Sequence, residues 1–349
     1  MTVAPTVRTL AVDLRAKAPV WRIPERVERE FAERAPAGWR VTVVSTDTVS
    51  DGDGGHAPSD EALAALAGAE IYFGFGITRP LFAAARHLKW VHSAAAGVTN
   101  VLFDEMRASD VILTNSAGIH AVPMAEYVVA ALLHFWRGLD ITIESQRSAT
   151  WLRSEFMRAD TPIREAGEST VLIVGTGGIG SAAAIRLEAL GATCIGLRRR
   201  VSEPAPPGFK YVTSLDEIDA LLPSCDAVVL AAPFTPATRG LMNARRLDRL
   251  PPHAVVVNVA RGALLDEAAL AERLSAGKLR GAALDVFQSE PLAPDSPLWP
   301  LRRALVTPHI SAVTARRFWE REAALFHDNW RRYVSGAPLT NVVNKDAGY

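Results

Sequence analysis

Apolar residues in this chain fall into short runs separated by longer stretches with helical periodicity. Leu10-Ala11-Val12, Arg40 to Val44, Ile71 to Phe75, Leu88 to Val91 and Val111 to Thr114 read as strands, with Ala-rich helical segments between them. Ser50 to Asp60 is polar and Gly-rich and reads as a surface loop. Strands alternating with helices predict a parallel α/β sheet, and this first unit ends near residue 118. Pro123 to Trp136 predicts a helix: proline costs nothing in the first turn, and Glu126 lies toward the positive end of the helix dipole. Its sequence is apolar almost all round, which predicts burial between domains or between subunits. Leu139 to Gly167 is polar and irregular and reads as an arm.

From Val171 the alternation resumes. Val171–Val174, Cys194–Leu197, Ala227–Leu230, Ala254–Val257, Ala282–Asp285 and Leu305–Thr307 are six strand-like runs, which predict a second doubly wound sheet. After His309 the chain turns helical from Ala315 to Val334. That last helix is expected to return to the first unit, making it discontinuous: residues 1–118 with 315–349, and residues 119–314 inserted between them. No repeat of short fixed period interrupts this pattern.

A chain of 349 residues exceeds one ordinary core, which agrees with two domains. With 38 basic and 38 acidic residues there is no net field to attract nucleic acid or an anionic membrane, and neither partner is expected. The apolar stretch Val128 to Trp136 is about half the length that spans a bilayer. Met1 to Arg15 lacks the charged start and long apolar run of a secretion signal, so a cytoplasmic protein is expected. Cys194 and Cys225 are the only cysteines, each in a strand-like segment; a disulfide framework is excluded, and no metal site is expected.

The strand Val171–Val174 runs into Gly175-Thr-Gly177-Gly178-Ile179-Gly180, a G-x-G-x-x-G loop, and Ser181 to Leu190 then reads as a helix. Gly175 permits the tight turn, Gly177 lets a pyrophosphate approach the backbone, and Gly180 lets the helix pack close to the strand. The helix N-terminus meets the phosphate charge. The pattern is weak alone; between a strand and a helix it predicts dinucleotide binding. A site for NAD would place an acid after the second strand to accept from the ribose 2′-hydroxyl. Arg198-Arg199-Arg200 stands there instead, and guanidinium groups suit a 2′-phosphate, so NADP is expected over NAD.

Three ionisable residues lie at the ends of late strands: Arg261 in NVARG, Glu290 in DVFQSEP and His309 in TPHIS. In this order, with the glycine loop, the chain from about Trp90 to Val343 resembles the D-2-hydroxyacid dehydrogenase family, which includes glyoxylate/hydroxypyruvate reductases and phosphoglycerate dehydrogenases. The resemblance implies an oxidoreductase that moves a hydride between a nicotinamide cofactor and a small 2-keto or 2-hydroxy acid. It implies a Rossmann cofactor domain inserted in a flavodoxin-like substrate domain, and a homodimer formed through the region of the apolar helix. The physical reading agrees. His309 has an imidazole suited to proton donation near neutrality. Glu290 would orient it and favour its protonated form. Arg261 can hold a carboxylate while polarising a carbonyl.

The loop Ser93-Ala-Ala-Ala96-Gly97 carries small residues whose N–H groups suit an anion nest, and the family uses its matching loop for the substrate carboxylate. The resemblance further implies cofactor contacts at Ala232, Pro233, Thr238, Val259, Ala260, Asp285, His309 and Ala312. Ala312 stands where the family often has glycine. Trp151 lies in the arm from which glyoxylate reductases of animals send a tryptophan into a neighbouring subunit's site. His56, His87, His92, His120, His134, His253 and His327 have no such context and read as structural or solvated. Two other readings fit the fold: a formate-type dehydrogenase, against which Glu290 argues because that enzyme pairs its histidine with Gln, and a dinucleotide-sensing binding protein.

Overall fold

The computed structural model describes residues 7–48, 58–314 and 316–348. The chain divides into two compact units, Met1–Ile119 with Thr314–Tyr349, and His120–Val313. Most of the loop Ser50 to Asp60, with His56, lies outside the described residues, as does Ala315; Ser59 caps the helix Asp60–Ala67.

The first unit is built on β1 (Arg8–Asp13), β2 (Trp39–Val43), β3 (Ile71–Gly74), β4 (Trp90–Ser93) and β5 (Ile112–Asn115). They lie in the order β2-β1-β3-β4-β5, all parallel, with Val12 opposite both Val43 and Phe73. Every residue of β3 and β4 is buried, because helices cover both faces of the sheet; this is why the sequence shows apolar runs rather than strict alternation. The helix Phe318–Ser335 supplies part of that cover. Phe326 stacks on Phe73 with ring centroids 4.2 Å apart and on Trp90 at 5.3 Å. The tail beyond it adds main-chain bonds, Val343 N to Leu113 O at 2.8 Å and Asn115 N to Asn341 O at 3.2 Å.

The second unit contains β6 (Thr170–Val174), β7 (Thr193–Arg198), β8 (Tyr211–Ser214), β9 (Ala227–Leu230), β10 (Val255–Asn258), β11 (Gly281–Leu284) and β12 (Ala304–Val306). The order is β12-β11-β10-β9-β6-β7-β8, again all parallel. Strand order reverses between β6 and β9, and the crevice outside their carboxyl ends is where such sheets bind ligands. The helix Ala121–Trp136 buries Ala125, Val128, Leu132 and Phe135 against the helix Gly178–Ala189 and against β10.

Four expectations need correction. The sheet has seven strands, not six: β8 is an edge strand with Tyr211 exposed and no apolar run to announce it. The arm is not irregular, since Leu139–Arg147 is a helix and Arg153–Phe156 a further turn; with no residue of either helix buried, neither shows an apolar face. β4 begins at Trp90 rather than Leu88, and the last helix begins at Phe318. Among the described residues no helix is long and apolar enough to cross a membrane, and no cluster of His, Cys, Asp or Glu is placed to hold a metal ion.

Candidate active site

The glycine loop of the second unit leaves β6 at Gly175, whose φ of +99° is closed to most side chains. A Cβ there would lie 2.6 Å from Ala231 O and 2.8 Å from Ala232 Cα, so glycine lets this loop pass close to the end of β9. A Cβ on Gly180 would collide with the Gly175 carbonyl, so glycine sets the helix against the strand. At Gly177 the same construction meets nothing within 4 Å, and Gly177 and Gly178 are exposed. Gly177 is the N-cap of the helix Gly178–Ala189. Open space in front of exposed main-chain N–H groups at a helix N-terminus fits a pyrophosphate. Ile179, in the same first turn, is half-buried against the core.

At the end of β7 the arginine run divides. Arg198 is largely buried, and its guanidinium turns back to donate to the carbonyls of Glu203 and Pro204. It braces its own loop rather than standing ready for a 2′-phosphate, because the strand ends with its side chain directed under that loop. Arg199 and Arg200 are exposed. After β9, Ala232 is nearly buried and Pro233 exposed; the Thr238 hydroxyl lies 2.8 Å from both Pro233 O and Thr235 N, which fixes the shape of this loop. After β10, Val259 and Ala260 are buried, and Asn258 ties the turn by accepting from Ala260 N and donating to Arg261 O.

That turn presents Arg261, which is exposed. Gly262 follows it, and a Cβ there would run into the Phe287 carbonyl and Gln288 N. The Arg261 turn therefore lies directly against the loop that carries Glu290. One Glu290 oxygen accepts from Phe287 N at 2.9 Å, and the other lies 2.8 Å from His309 Nδ1. Opposite a carboxylate Nδ1 is the donor, which leaves Nε2 as the ring atom able to act on a substrate. Imidazole and carboxylate are 40% and 35% exposed, so both remain within reach of a solute. A second carboxylate, Glu267, lies nearby with Gln288 N donating to it; burial raises its pKa, and the charge of Glu290 adds to that.

His309 has φ +53°, an uncommon conformation for a residue with a side chain. Its N–H donates to Asp285 O at 2.9 Å. Asp285 was expected to touch the cofactor, but it is wholly buried. Its carboxylate instead accepts from Thr307 Oγ1 at 2.6 Å, Ile310 N at 2.8 Å and Ser311 N at 2.9 Å, holding the turn around His309. Ala312, half-buried, ends that turn.

The chain from residue 129 to 311 matches the family model for the D-isomer specific 2-hydroxyacid dehydrogenase NAD binding domain. The chain belongs to this family. It is 36% identical over 268 residues, 77% of its length, to a D-3-phosphoglycerate dehydrogenase of Mycobacterium tuberculosis, of which that match covers 49%; the chain thus spans about half the length of such relatives. A sulfolactate dehydrogenase of Chromohalobacter salexigens is 32% identical over 73% of this chain and 81% of its own. Two solved structures resemble nearly all of it. A D-isomer specific 2-hydroxyacid dehydrogenase of Xanthobacter autotrophicus in complex with NADPH has TM-score 0.79 and 31% identity, covering 98% of this chain and all of that one. An NADPH-dependent glyoxylate/hydroxypyruvate reductase of Sinorhizobium meliloti, in complex with NADP and sulfate, has TM-score 0.77 and 30% identity over 98% of this chain and all of its own.

The loop after β4 in the first unit is fixed by its own hydrogen bonds. Asn115 Nδ2 donates to Ala96 O at 2.7 Å, Ser116 N to Ala95 O at 3.3 Å, and Ala95 N to Ser93 Oγ at 3.3 Å. Among the described residues no acceptor takes the N–H of Ala96 or Gly97. Asn115, Asn258, Gly262 and Thr307 were assigned no role from the sequence; Asn258 and Gly262 lie inside NVARG and Thr307 inside TPHIS, so only Asn115 lacked a local signal.

Proposed function

We propose that this dehydrogenase reduces small 2-keto acids such as glyoxylate or hydroxypyruvate to the corresponding 2-hydroxy acids, of D configuration where a stereocentre forms, with NADPH preferred over NADH. The observation that carries the reading is the exposed His309–Glu290 pair at the carboxyl edge of a sheet with a glycine loop fit for a dinucleotide. When bound, the nicotinamide cofactor supplies the hydride for the keto carbon. The residues that would hold it are Gly175 to Gly180, with Arg199 and Arg200 at the 2′-phosphate and the loops of Ala232 to Thr238 and Val259–Ala260 beside it. His309 Nε2 delivers the proton to the carbonyl oxygen, and Glu290 keeps the ring in the orientation that presents Nε2. Arg261 takes the substrate carboxylate and draws electron density from the carbonyl. Within the first unit, the N–H groups of Ala96 and Gly97 are proposed as donors to a carboxylate.

The preference for NADPH is supported by the missing acid after β7, by the exposed Arg199 and Arg200, and by the NADP-bound relatives. A homodimer is supported by the arm, where Trp151 is 89% and Met157 69% exposed. Cys194 and Cys225 are free and buried, and burial pushes both thiols up to about 12, so neither is poised as a nucleophile.

Initial rates with NADPH and NADH against a panel of 2-keto acids test the function. The panel also includes oxidation of 3-phosphoglycerate and sulfolactate, named by the relatives. Reduction of glyoxylate or hydroxypyruvate with a lower KM for NADPH is expected. Absence of turnover with every acid would overturn the reading, and sedimentation at the 37.6 kDa monomer mass would overturn the dimer.

A further inference from the structure

The turn that carries His309 is tied to a helix far away in sequence. Thr307 Oγ1 lies 2.6 Å from Asp285 Oδ1 and 2.8 Å from the Tyr127 hydroxyl. A threonine hydroxyl has one proton, and a carboxylate only accepts. Thr307 therefore donates to Asp285, and its oxygen accepts from Tyr127. The chain of donors runs from Tyr127 through Thr307 into the carboxylate that also takes the N–H groups of Ile310 and Ser311. Asp285 thus grips the segment on both sides of His309, whose positive φ persists only while its surroundings enforce it.

We infer that Tyr127 is a positioning residue for His309, acting through Thr307 and Asp285. The inference rests on the proposed role of His309 as proton donor. Tyr127 belongs to the helix Ala121–Trp136, which packs along the helix Gly178–Ala189. That second helix begins at the glycine loop. The hydroxyl therefore registers the proton donor against the helix whose N-terminus would bind the cofactor phosphates. Phenylalanine would fill the same half-buried space without that link. Burial pushes the Tyr127 phenol up to about 12, so it stays a donor through the neutral range.

The test compares Tyr127→Phe, Thr307→Val and Thr307→Ser in 2-keto-acid reduction, with NADPH binding followed by fluorescence. Small displacements of a reacting group are costly, so Tyr127→Phe and Thr307→Val are expected to lose about tenfold in kcat. KM for the keto acid and Kd for NADPH should stay within about twofold, and Thr307→Ser, which restores the hydroxyl, should keep kcat within about twofold. The imidazole N–H signal of His309 gives a readout independent of activity. Its downfield proton, held by Glu290, should survive in wild type and Thr307→Ser and broaden or vanish in the other two. If both the kcat and the proton signal of Tyr127→Phe match wild type, the inference is overturned. If no keto acid is reduced by any of the four proteins but the His309 signal responds as described, the functional reading fails and the positioning link stands.

Discussion

Replacing Asp285 by Asn isolates what holds the proposed proton donor in place. The carboxylate accepts three hydrogen bonds at 2.6–2.9 Å, from Thr307 Oγ1, Ile310 N and Ser311 N, in a site with no solvent access. An amide has one acceptor oxygen and two donor hydrogens. With that oxygen in the place of Oδ1, it keeps Thr307 and Ile310, and its NH2 then faces the Ser311 N–H, donor against donor. The opposite orientation loses two bonds. The better arrangement forfeits one charge-assisted hydrogen bond, about 1.5–3 kcal/mol, and leaves a buried donor unpaired. The left-handed conformation of His309, which costs about 1–3 kcal/mol, would no longer be enforced. A total loss of about 2–4 kcal/mol corresponds to a fall in Tm of about 5–15 °C for a unit of this size. A shift of about 1 Å in His309 would lower kcat about a hundredfold. Calorimetry, keto-acid reduction and NADPH binding measured on one preparation check the three parts. Asp285→Asn unfolding within about 1 °C of wild type with unchanged kcat would refute the reasoning.

Other outcomes follow from the same geometry. His309→Asn should lower kcat on the order of a hundredfold or more, and Glu290→Gln about tenfold because it keeps the Phe287 N–H bond, with NADPH affinity unchanged in both. Arg199→Asp with Arg200→Asp should raise KM for NADPH by about a hundredfold and leave NADH almost untouched, in steady-state rates with each cofactor; equal losses would remove the phosphate role. In the first unit, two hydrogen bonds from Arg8 and one from the Tyr333 hydroxyl hold Glu70 down to about 2 against an ordinary 4.5. A depressed carboxylate pKa gives stability that is full above about pH 4.5 and lost as pH falls through about 2, reduced here by solvent screening of the partly exposed Arg8. Urea unfolding of Glu70→Gln should show that loss at pH 7 and little of it near pH 2.

The parts of the fold that announced themselves did so through local pattern. The buried strands of both sheets are unbroken apolar runs, and the glycine loop is a contiguous motif in which Gly175 and Gly180 each answer a distinct close approach while Gly177 faces open space. Arg261, Glu290 and His309 were legible because each sits in a short motif just past a strand. What escaped lacked one of these supports. β8 is a half-exposed edge strand. Tyr127 and Thr307 are separated by 180 residues, and nothing around Tyr127 distinguishes a hydroxyl that donates from one that faces water. A run of three arginines shows charge, but the direction of the Arg198 side chain is set by the loop through Glu203 and Pro204, which no local pattern announces.

Pairing with a carboxylate does not by itself single out His309. Among the described residues four histidines lie within 4 Å of one: His92 with Glu322, His253 with Asp226, His309 with Glu290 and His327 with Glu30. His92 and Glu322 are both wholly buried in the first unit, where no substrate reaches them. His327 is only 10% exposed, and burial lowers its pKa, which favours a neutral ring. His253 is the serious rival, 2.8 Å from its acid and 47% exposed. But Asp226 and His253 stand just before β9 and β10, at the amino edge of the sheet, and Asp226 is already engaged by Arg164 and by Thr170 N. His309 follows β12, and its acid follows β11, on the carboxyl edge where the glycine loop also emerges. Parallel sheets bind their ligands at that edge, since it is where strands hand over to loops and helix N-termini. His253→Gln is therefore expected to keep kcat within about twofold, with at most a small loss in Tm from the half-exposed ion pair. A fall in kcat matching that of His309→Asn would mean that proximity to an acid, not the edge of the sheet, selects the proton donor.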